Sequence, residues 1–225
     1  MLDHRTVDRI RDLDLAPGPL FVCDVDEVVL TFLDPFRGFL GSRELMLVAD
    51  SFRLHGNVRR MNGRPVPGPR VSELIDEFFG EQDNWQTLVP GAREGLDRIA
   101  EKSAVILLTA MRHGHFELRE RHLRALGIVH PLVTTEGSKG LALGELSAHR
   151  PIVFVDDLPS NHAQVQAEVD DVMAIHFMAD RYFAPLLPTL PEGVRRAEDW
   201  REIVSIALGA VDADRPAIAG SPALR

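Results

Sequence analysis

The stretch FVCDVDEVVL, residues 21–30, places three acids inside an apolar run. Apolar residues 21–23 precede Asp24, and Asp26 and Glu27 follow before apolar sequence resumes. A buried strand normally excludes carboxylates, because an unpaired buried charge is costly or forces a shift in pKa. We therefore interpret this stretch as a buried strand that stops at Cys23 and presents Asp24 and Asp26 at its carboxyl end.

Similar short apolar runs recur along the chain and alternate with helical patterns. Strands are predicted at residues 104–109, 131–135, 151–157 and 172–178, and helices at 91–102, 115–127 and 138–148. Continuous apolar runs, rather than alternating ones, are typical of a parallel sheet covered on both faces. The fold class predicted is α/β, with a doubly wound (Rossmann-like) parallel sheet as its core.

Residues 33–89 interrupt this alternation. The distance along the chain from the first strand to the second is too long for one crossover, so we predict an inserted cap subdomain here, which we call the insert. Helices are expected at residues 39–52 and 72–79, and Asn62-Gly63 is a strong hairpin signal. The core would then comprise residues 1–32 and 90–210, and the small, Pro-rich residues 211–225 would form a disordered tail.

Composition narrows the class of protein. The chain has 225 residues and a formal net charge of -9, which argues weakly against nucleic acid or an anionic membrane as its main partner. Cys23 is the single cysteine, so a reducing compartment is expected. The charged N-terminus does not resemble a signal peptide, and no apolar run is long enough to span a membrane. We expect a soluble cytoplasmic protein, and the oligomeric state is not predicted.

Polar side chains follow the predicted strands at the ends where an α/β sheet binds ligands. They are Asp24, Asp26, Thr109, Lys139 at the start of a helix, Asp156, Asp157 and Asn161. We expect these side chains to meet in one crevice. Lys139 is one of two lysines in the chain. Because lysine is so rare here, its presence at this position favours a functional role over chance.

Several carboxylates in one crevice repel each other, and their pKa values rise unless a cation is present. A hard divalent ion relieves this repulsion, and Mg²⁺ is the natural choice for oxygen ligands. Together with a lysine and a hydroxyl, Mg²⁺ would form a clamp for a phosphoryl group, whose transfer depends on positioning and charge stabilisation. A carboxylate can serve as the nucleophile and form an aspartyl-phosphate.

Four segments occur in the order of known motifs. DVDEV, the threonine of LLTA, the lysine of SKGLAL, and VDDLPSN resemble the four motifs of the haloacid dehalogenase-like superfamily of phosphohydrolases. The resemblance spans about residues 20–161, and the insert lies where one cap type of that superfamily occurs. Each motif alone is weak, but four in order are together specific.

The resemblance implies a role for each matching residue. Asp24 would attack phosphorus, and Asp26 would protonate the leaving group and then activate water. Thr109 and Lys139 would hold phosphate oxygens. Glu27 departs from the pattern, because glycine is common at that position in the superfamily.

The resemblance also implies a Mg²⁺ site. Its ligands would be Asp24, the backbone carbonyl of Asp26, and Asp157. Asp156 or Asn161 would complete the shell, directly or through water.

The implied activity is Mg²⁺-dependent hydrolysis of a small phosphorylated metabolite, a phosphomonoester. A phosphotransferase such as a mutase would use the same residues. A dehalogenase is less consistent with Asp26, since dehalogenation does not need that acid. From other classes, a phospho-accepting receiver domain and a non-catalytic binding module stay open, although a receiver domain has no counterpart of the insert.

Two further features have open roles. His113 and His115 follow Thr109, and we favour an exposed loop over a substrate contact or a metal site. Residues 51–70 carry five arginines and no acid, which would attract an anionic substrate or form a solvated hairpin.

Overall fold

The computed structural model describes residues 1–147 and 150–213. Its helices are α1 His4–Arg11, α2 Leu33–Gly41, α3 Gly68–Gly80, α4 Gln82–Trp85, α5 Ala92–Ala100, α6 Phe116–Ala125, α7 Lys139–Ser147, α8 Pro159–Glu168 and α9 Trp200–Ala213. Its strands are β1 Leu20–Cys23, β2 Leu45–Leu47, β3 Val58–Arg60, β4 Ala104–Ala110, β5 Leu132–Thr135, β6 Ile152–Asp156, β7 Val172–His176 and β8 Arg195–Arg196. Short 3-10 helices occupy His113–His115 and Ala184–Leu186.

The main sheet is parallel and has the order β5-β4-β1-β6-β7-β8. This confirms the predicted α/β class. Cys23 at the end of β1 pairs with Leu107 in β4 and Val155 in β6, so β1 and β6 end side by side while β4 continues to Ala110. The order of strands reverses at β1, and such a switch point is where open α/β sheets bind ligands.

Strand β1 is buried on both faces, as its continuous apolar sequence predicts. Phe21 and Cys23 pack into a cluster with α5 and α9, whereas Leu20 and Val22 pack into a cluster with α1, α7 and α8. Successive side chains of a strand point to opposite faces, so four apolar residues in a row supply both layers. The helices therefore cover the sheet on both sides.

A separate hydrophobic cluster joins apolar side chains of the insert to neighbouring residues of the core. Phe78 in α3 packs edge-on against Phe32, Phe36 and Phe39, with ring centroids 5.3 to 5.4 Å apart. Edge-to-face contacts of this kind add stabilisation beyond the burial of area. Met178, Phe183 and other residues after β7 pack into the same cluster, so the insert rests on that part of the core.

The chain enters and leaves the insert side by side, because the Thr31 N–H donates to Thr87 O at 2.9 Å. The division of the chain into core and cap at residues 33 and 89 stays a prediction.

The predicted helix at residues 39–52 is wrong. Helix α2 ends at Gly41, Glu44 has a left-handed backbone (φ 55°), and β2 pairs antiparallel with β3. Pairing and the burial of Leu47 and Val58 outweigh the local helical pattern. The Asn62-Gly63 hairpin is confirmed, since the Arg60 N–H donates to Arg64 O at 2.9 Å across the turn.

Helix α9 extends to Ala213, so residues 211–213 are helical and are not part of a disordered tail as predicted. Residues 214–225 of that predicted tail lie outside the described residues. In the part of the chain that is described, no helix combines the length and apolar character needed to cross a bilayer.

Candidate active site

The chain turns sharply after Asp24. The Asp24 N–H still donates to Val155 O at 2.9 Å, which extends the β1–β6 ladder by one residue. Val29 and Leu30 then both donate their N–H groups to Val25 O at 2.8 Å, in a tight turn. Because the strand ends at Cys23, Asp24 and Asp26 lie beyond the helix-covered faces of the sheet, and both line one cavity.

Lys139 lies between two buried carboxylates. Its Nζ is 2.6 Å from Asp24 Oδ1 and 2.8 Å from Asp156 Oδ2, and its side chain is 2% exposed. Gly140 lets α7 approach α8 closely, since a Cβ there would lie 2.4 Å from Gln164 O. Charge-assisted contacts this short orient both acids.

Asp156 and Asp157 are adjacent but have different partners. Asp156 Oδ1 accepts from the Leu158 N–H at 2.8 Å and from Asn161 Nδ2 at 2.9 Å, and its Oδ2 accepts from Lys139. The carboxylate of Asp157 forms no hydrogen bond within residues 1–147 and 150–213. Asp156 therefore has the contacts of an orienting group, whereas Asp157 has oxygens available to a ligand.

The three acids have the composition of a cation site. One carboxylate oxygen from each of Asp24, Asp156 and Asp157 lies within 4.8 Å of the others, and all three residues are buried. Burial raises the pKa of Asp24 to about 7 although Lys139 opposes this, and burial raises the pKa of Asp157 well above its usual value. One lysine does not balance three carboxylates, so these oxygen donors fit a hard divalent cation such as Mg²⁺.

Besides Thr109, Asp26 is held by two residues that sequence reasoning missed. Its Oδ1 accepts from Arg119 at 3.0 Å and from Gln86 Nε2 at 2.8 Å, and its Oδ2 accepts from the Thr109 hydroxyl at 3.2 Å. Arg119 is fully buried and also donates through Nε to Gln82 Oε1. This network joins α6, the α4 region of the insert and the turn after β1.

A signal for Arg119 existed in the sequence. Arg119 lies three residues after Phe116 and four before Leu123, so it belongs to the apolar face of α6. An arginine on an apolar face is rarely buried without partners. Its partners Gln82 and Gln86 lie more than thirty positions away along the chain, which is why the pattern alone did not identify them.

Glu27 has a structural role that explains its departure from the motif pattern. Its φ is 61°, in the left-handed region where glycine is favoured. Its buried carboxylate accepts from the N–H groups of Phe32 and Leu33 at the start of α2, at 2.8 and 2.6 Å, and from that of Asp180 at 2.7 Å. Glu27 thus connects the insert to the segment after β7.

We expect Glu27→Gly to lower the free energy of unfolding by about 2 kcal/mol, because three N–H groups lose their acceptor. Glycine also relieves the strain of the left-handed backbone, but this stabilisation is smaller than the loss of the three hydrogen bonds. Glu44→Gly is the matched control, since Glu44 is exposed and also left-handed, and it should be neutral or stabilising. Urea unfolding monitored by circular dichroism measures both. Stabilisation in both variants would show that the Glu27 carboxylate contributes nothing.

The acids line a cavity of about 440 Å³ between the carboxyl ends of the strands and the insert. Of the predicted site residues, Asp24, Asp26, Lys139, Asp157 and Asn161 line it. The other two, Thr109 and Asp156, are fully buried behind this lining. Binding of phosphate by the Thr109 hydroxyl therefore stays a prediction.

The expected exposed loop at residues 113–115 is wrong for His113. His113 is buried, with Nδ1 2.7 Å from Thr134 Oγ1 and Nε2 2.8 Å from Asp3 Oδ1. His115 lies 2.8 Å from Asp76 in the insert, through Nε2. Neither histidine lines the cavity that holds the acids.

Two of the five arginines of residues 51–70 pair with acids, and a third lines the cavity. Arg59 pairs with Asp50 at 2.6 Å, and Arg70 pairs with Glu73 and Glu77 at 2.9 and 2.7 Å. Arg53 lines the cavity and is exposed.

Comparison with solved structures identifies the fold. A haloacid dehalogenase-like hydrolase from Xanthomonas campestris is 12% identical, with a TM-score of 0.58 over 87% of this chain and 97% of that chain. A protein from Haemophilus somnus, described as a predicted phosphoglycolate phosphatase, is 14% identical, with a TM-score of 0.57 over 84% of this chain and 97% of that chain.

YfnB from Bacillus subtilis, which carries a HAD-hydrolase name and is bound to magnesium, is 13% identical, with a TM-score of 0.57 over 85% of this chain and 99% of that chain. The chain therefore has the haloacid dehalogenase-like fold that the sequence motifs predicted. No protein-family model and no curated protein matches the chain. At these identities the likeness concerns the fold, and the reaction has to be inferred from the site.

Proposed function

We propose that the protein is a Mg²⁺-dependent phosphatase that hydrolyses a small phosphomonoester through an aspartyl-phosphate on Asp24. One observation carries this proposal. Asp24 is buried at the end of β1 with Oδ1 held by Lys139 at 2.6 Å, while its Oδ2 accepts no hydrogen bond from the described residues. A carboxylate fixed on one oxygen and free on the other is suited to attack along one direction.

In the first step, Asp24 Oδ2 forms a bond to phosphorus and the bond from phosphorus to the ester oxygen breaks. The departing oxygen takes a proton from the carboxyl group of Asp26. Asp26 Oδ2 is the oxygen more easily released for this, because a single contact of 3.2 Å from Thr109 holds it, whereas Oδ1 has two donors. Lys139 balances charge beside the nucleophile throughout.

In the second step, Asp26 acts as a base. It accepts a proton from a water molecule as that water attacks phosphorus, and the bond between phosphorus and Asp24 breaks. Inorganic phosphate leaves, and Asp24 and Asp26 return to their starting states. The same side chain thus serves as acid and then as base, as microscopic reversibility permits.

Asp24 and Asp157 would hold the metal ion with the carbonyl of Asp26, and Asp156 would orient Lys139 and Asn161 beside them. A bound Mg²⁺ would neutralise charge on the phosphoryl oxygens. The donor chemistry of the buried acids supports this choice, and so does the magnesium described for YfnB from Bacillus subtilis. The phosphoglycolate in the description of the Haemophilus somnus protein supports a small phosphorylated substrate.

The purified protein should hydrolyse p-nitrophenyl phosphate in the presence of Mg²⁺. Excess chelator should abolish the activity, because the phosphoryl oxygens would then lack the cation that neutralises their charge, and added Mg²⁺ should restore it. Release of p-nitrophenol measures the rate. Equal rates with and without chelator would contradict the metal assignment, and no hydrolysis of any phosphate ester would contradict the proposed function.

A further inference from the structure

The cavity above Asp24 has two chemically different parts. Its buried end is polar and holds Asp24, Lys139 and Asp157, which the proposed mechanism uses on the phosphoryl group. The remaining wall is mainly apolar, with side chains from the insert, from the start of α2 and from the segment after β7. It consists chiefly of Phe32, Phe52, Leu54, Ile75, Phe79 and Met178.

Phe52 in particular lies outside the hydrophobic clusters of the described residues. It is half-buried and lines the cavity. A large aromatic side chain gains stabilisation by being covered. In this position, a substrate bound in the cavity would cover the Phe52 ring.

Glu27 and His55, two polar side chains of the lining outside its buried end, already have partners. The Glu27 oxygens accept three backbone N–H groups, and His55 Nε2 lies 3.0 Å from Ser72 Oγ. Arg53 is exposed, so it can attract a phosphate dianion from solvent. A sugar or another polyol would bring hydroxyl groups against Phe52 and Leu54, where they would lose water without gaining a partner.

We propose that the natural substrate carries an apolar leaving group, that is, a phosphomonoester of an aromatic or branched hydrocarbon alcohol rather than of a sugar. This rests on the proposed phosphatase function, because the same cavity must bind the phosphoryl group. The volume of about 440 Å³ lies in the range of roughly 300 to 1,000 Å³ that is usual for small-molecule sites. Phe52 is then a specificity-determining residue.

The test compares two esters of primary alcohols, phenethyl phosphate and glycerol phosphate, which have similar bonds to break. We expect kcat/KM to be about a hundredfold higher for phenethyl phosphate, since pocket contacts discriminate at this scale. Phe52→Ser should reduce the ratio of the two kcat/KM values about tenfold. Met61→Ser is the matched control, because Met61 is an exposed apolar residue of the insert outside the cavity, and it should leave the ratio unchanged.

Binding provides a second readout that does not need turnover. Phenethylphosphonate cannot be hydrolysed, and calorimetry in Mg²⁺ buffer should show about tenfold weaker binding to Phe52→Ser than to the wild type or Met61→Ser. Equal kcat/KM for the two esters, or equal phosphonate binding by the three proteins, would overturn the inference while the phosphatase function stands. No hydrolysis of either ester or of p-nitrophenyl phosphate would instead overturn the proposed function itself.

Discussion

Asp24→Asn should lower kcat for hydrolysis of p-nitrophenyl phosphate by about ten-thousandfold or more. The amide is nearly isosteric but is a poor nucleophile, so the reaction loses its covalent route, which corresponds to about 5 kcal/mol or more of transition-state stabilisation. Folding should not be impaired, because the substitution removes one of three mutually repelling buried acids. Steady-state kinetics measure the loss, and thermal unfolding verifies that the variant is folded.

Asp34→Asn is the matched control for this experiment. It makes the same chemical change in an acid whose side chain is 87% exposed on α2, and wild-type kinetics are expected. A rate for Asp24→Asn within about tenfold of that of Asp34→Asn would remove Asp24 from the role of nucleophile.

Lys139→Met should remove activity and also destabilise the protein. Breaking a buried ion pair by deleting one partner typically costs about 3–5 kcal/mol, because the charges left behind are uncompensated. Here Asp24 and Asp156 would both lose the same ammonium group, at 2.6 and 2.8 Å. Urea unfolding in the presence of chelator measures the change in the free energy of unfolding.

Lys102→Met provides the control, because Lys102 is the only other lysine and forms an exposed pair with Asp212 at 2.8 Å. Its loss should change the free energy of unfolding by less than about 1 kcal/mol. A similar small effect for Lys139→Met would contradict the view that the buried acids depend on this lysine.

The destabilisation of Lys139→Met should depend on pH. The pKa of Asp24 is raised to about 7 even with Lys139 present, and loss of the lysine removes the main influence that lowers it. A carboxyl group with a raised pKa in the folded state stabilises that state at low pH, and this stability is lost as pH rises through the folded pKa. The loss relative to wild type should therefore be smaller at about pH 5 than at about pH 8.

The fold was predictable where short apolar runs carry the information. Strand β1 reads as buried on both faces because residues 20–23 supply side chains to two layers. The acids follow from the same pattern, since Asp24 and Asp156 occupy the ends of neighbouring strands. Insert residues 39–52 were mispredicted because β2 is stabilised by pairing with β3, which a local helical pattern does not register.

The network around Asp26 depends on contacts between residues distant in sequence. Arg119 differs from the other arginines of α6 in lying on its apolar face, but the sequence does not identify its partners Gln82 and Gln86. The sequence alone does not show the role of Glu27. Its partners are the backbone N–H groups of Phe32, Leu33 and Asp180, which belong to no recognisable motif. Its left-handed backbone favours glycine, and the three contacts of its carboxylate account for the departure from glycine.

The central claim, an aspartyl-phosphate on Asp24, is tested most directly by trapping the phosphorylated protein. Asp26→Asn should slow the second step, so rapid acid quenching after addition of substrate and Mg²⁺, followed by peptide mass spectrometry, can locate the phosphoryl group. We predict one phosphoryl group on the peptide that contains Asp24, and none when Asp24 is also replaced by Asn. A phosphoryl group on another residue, or hydrolysis by the wild type with no phosphorylated protein in either background, would contradict the account.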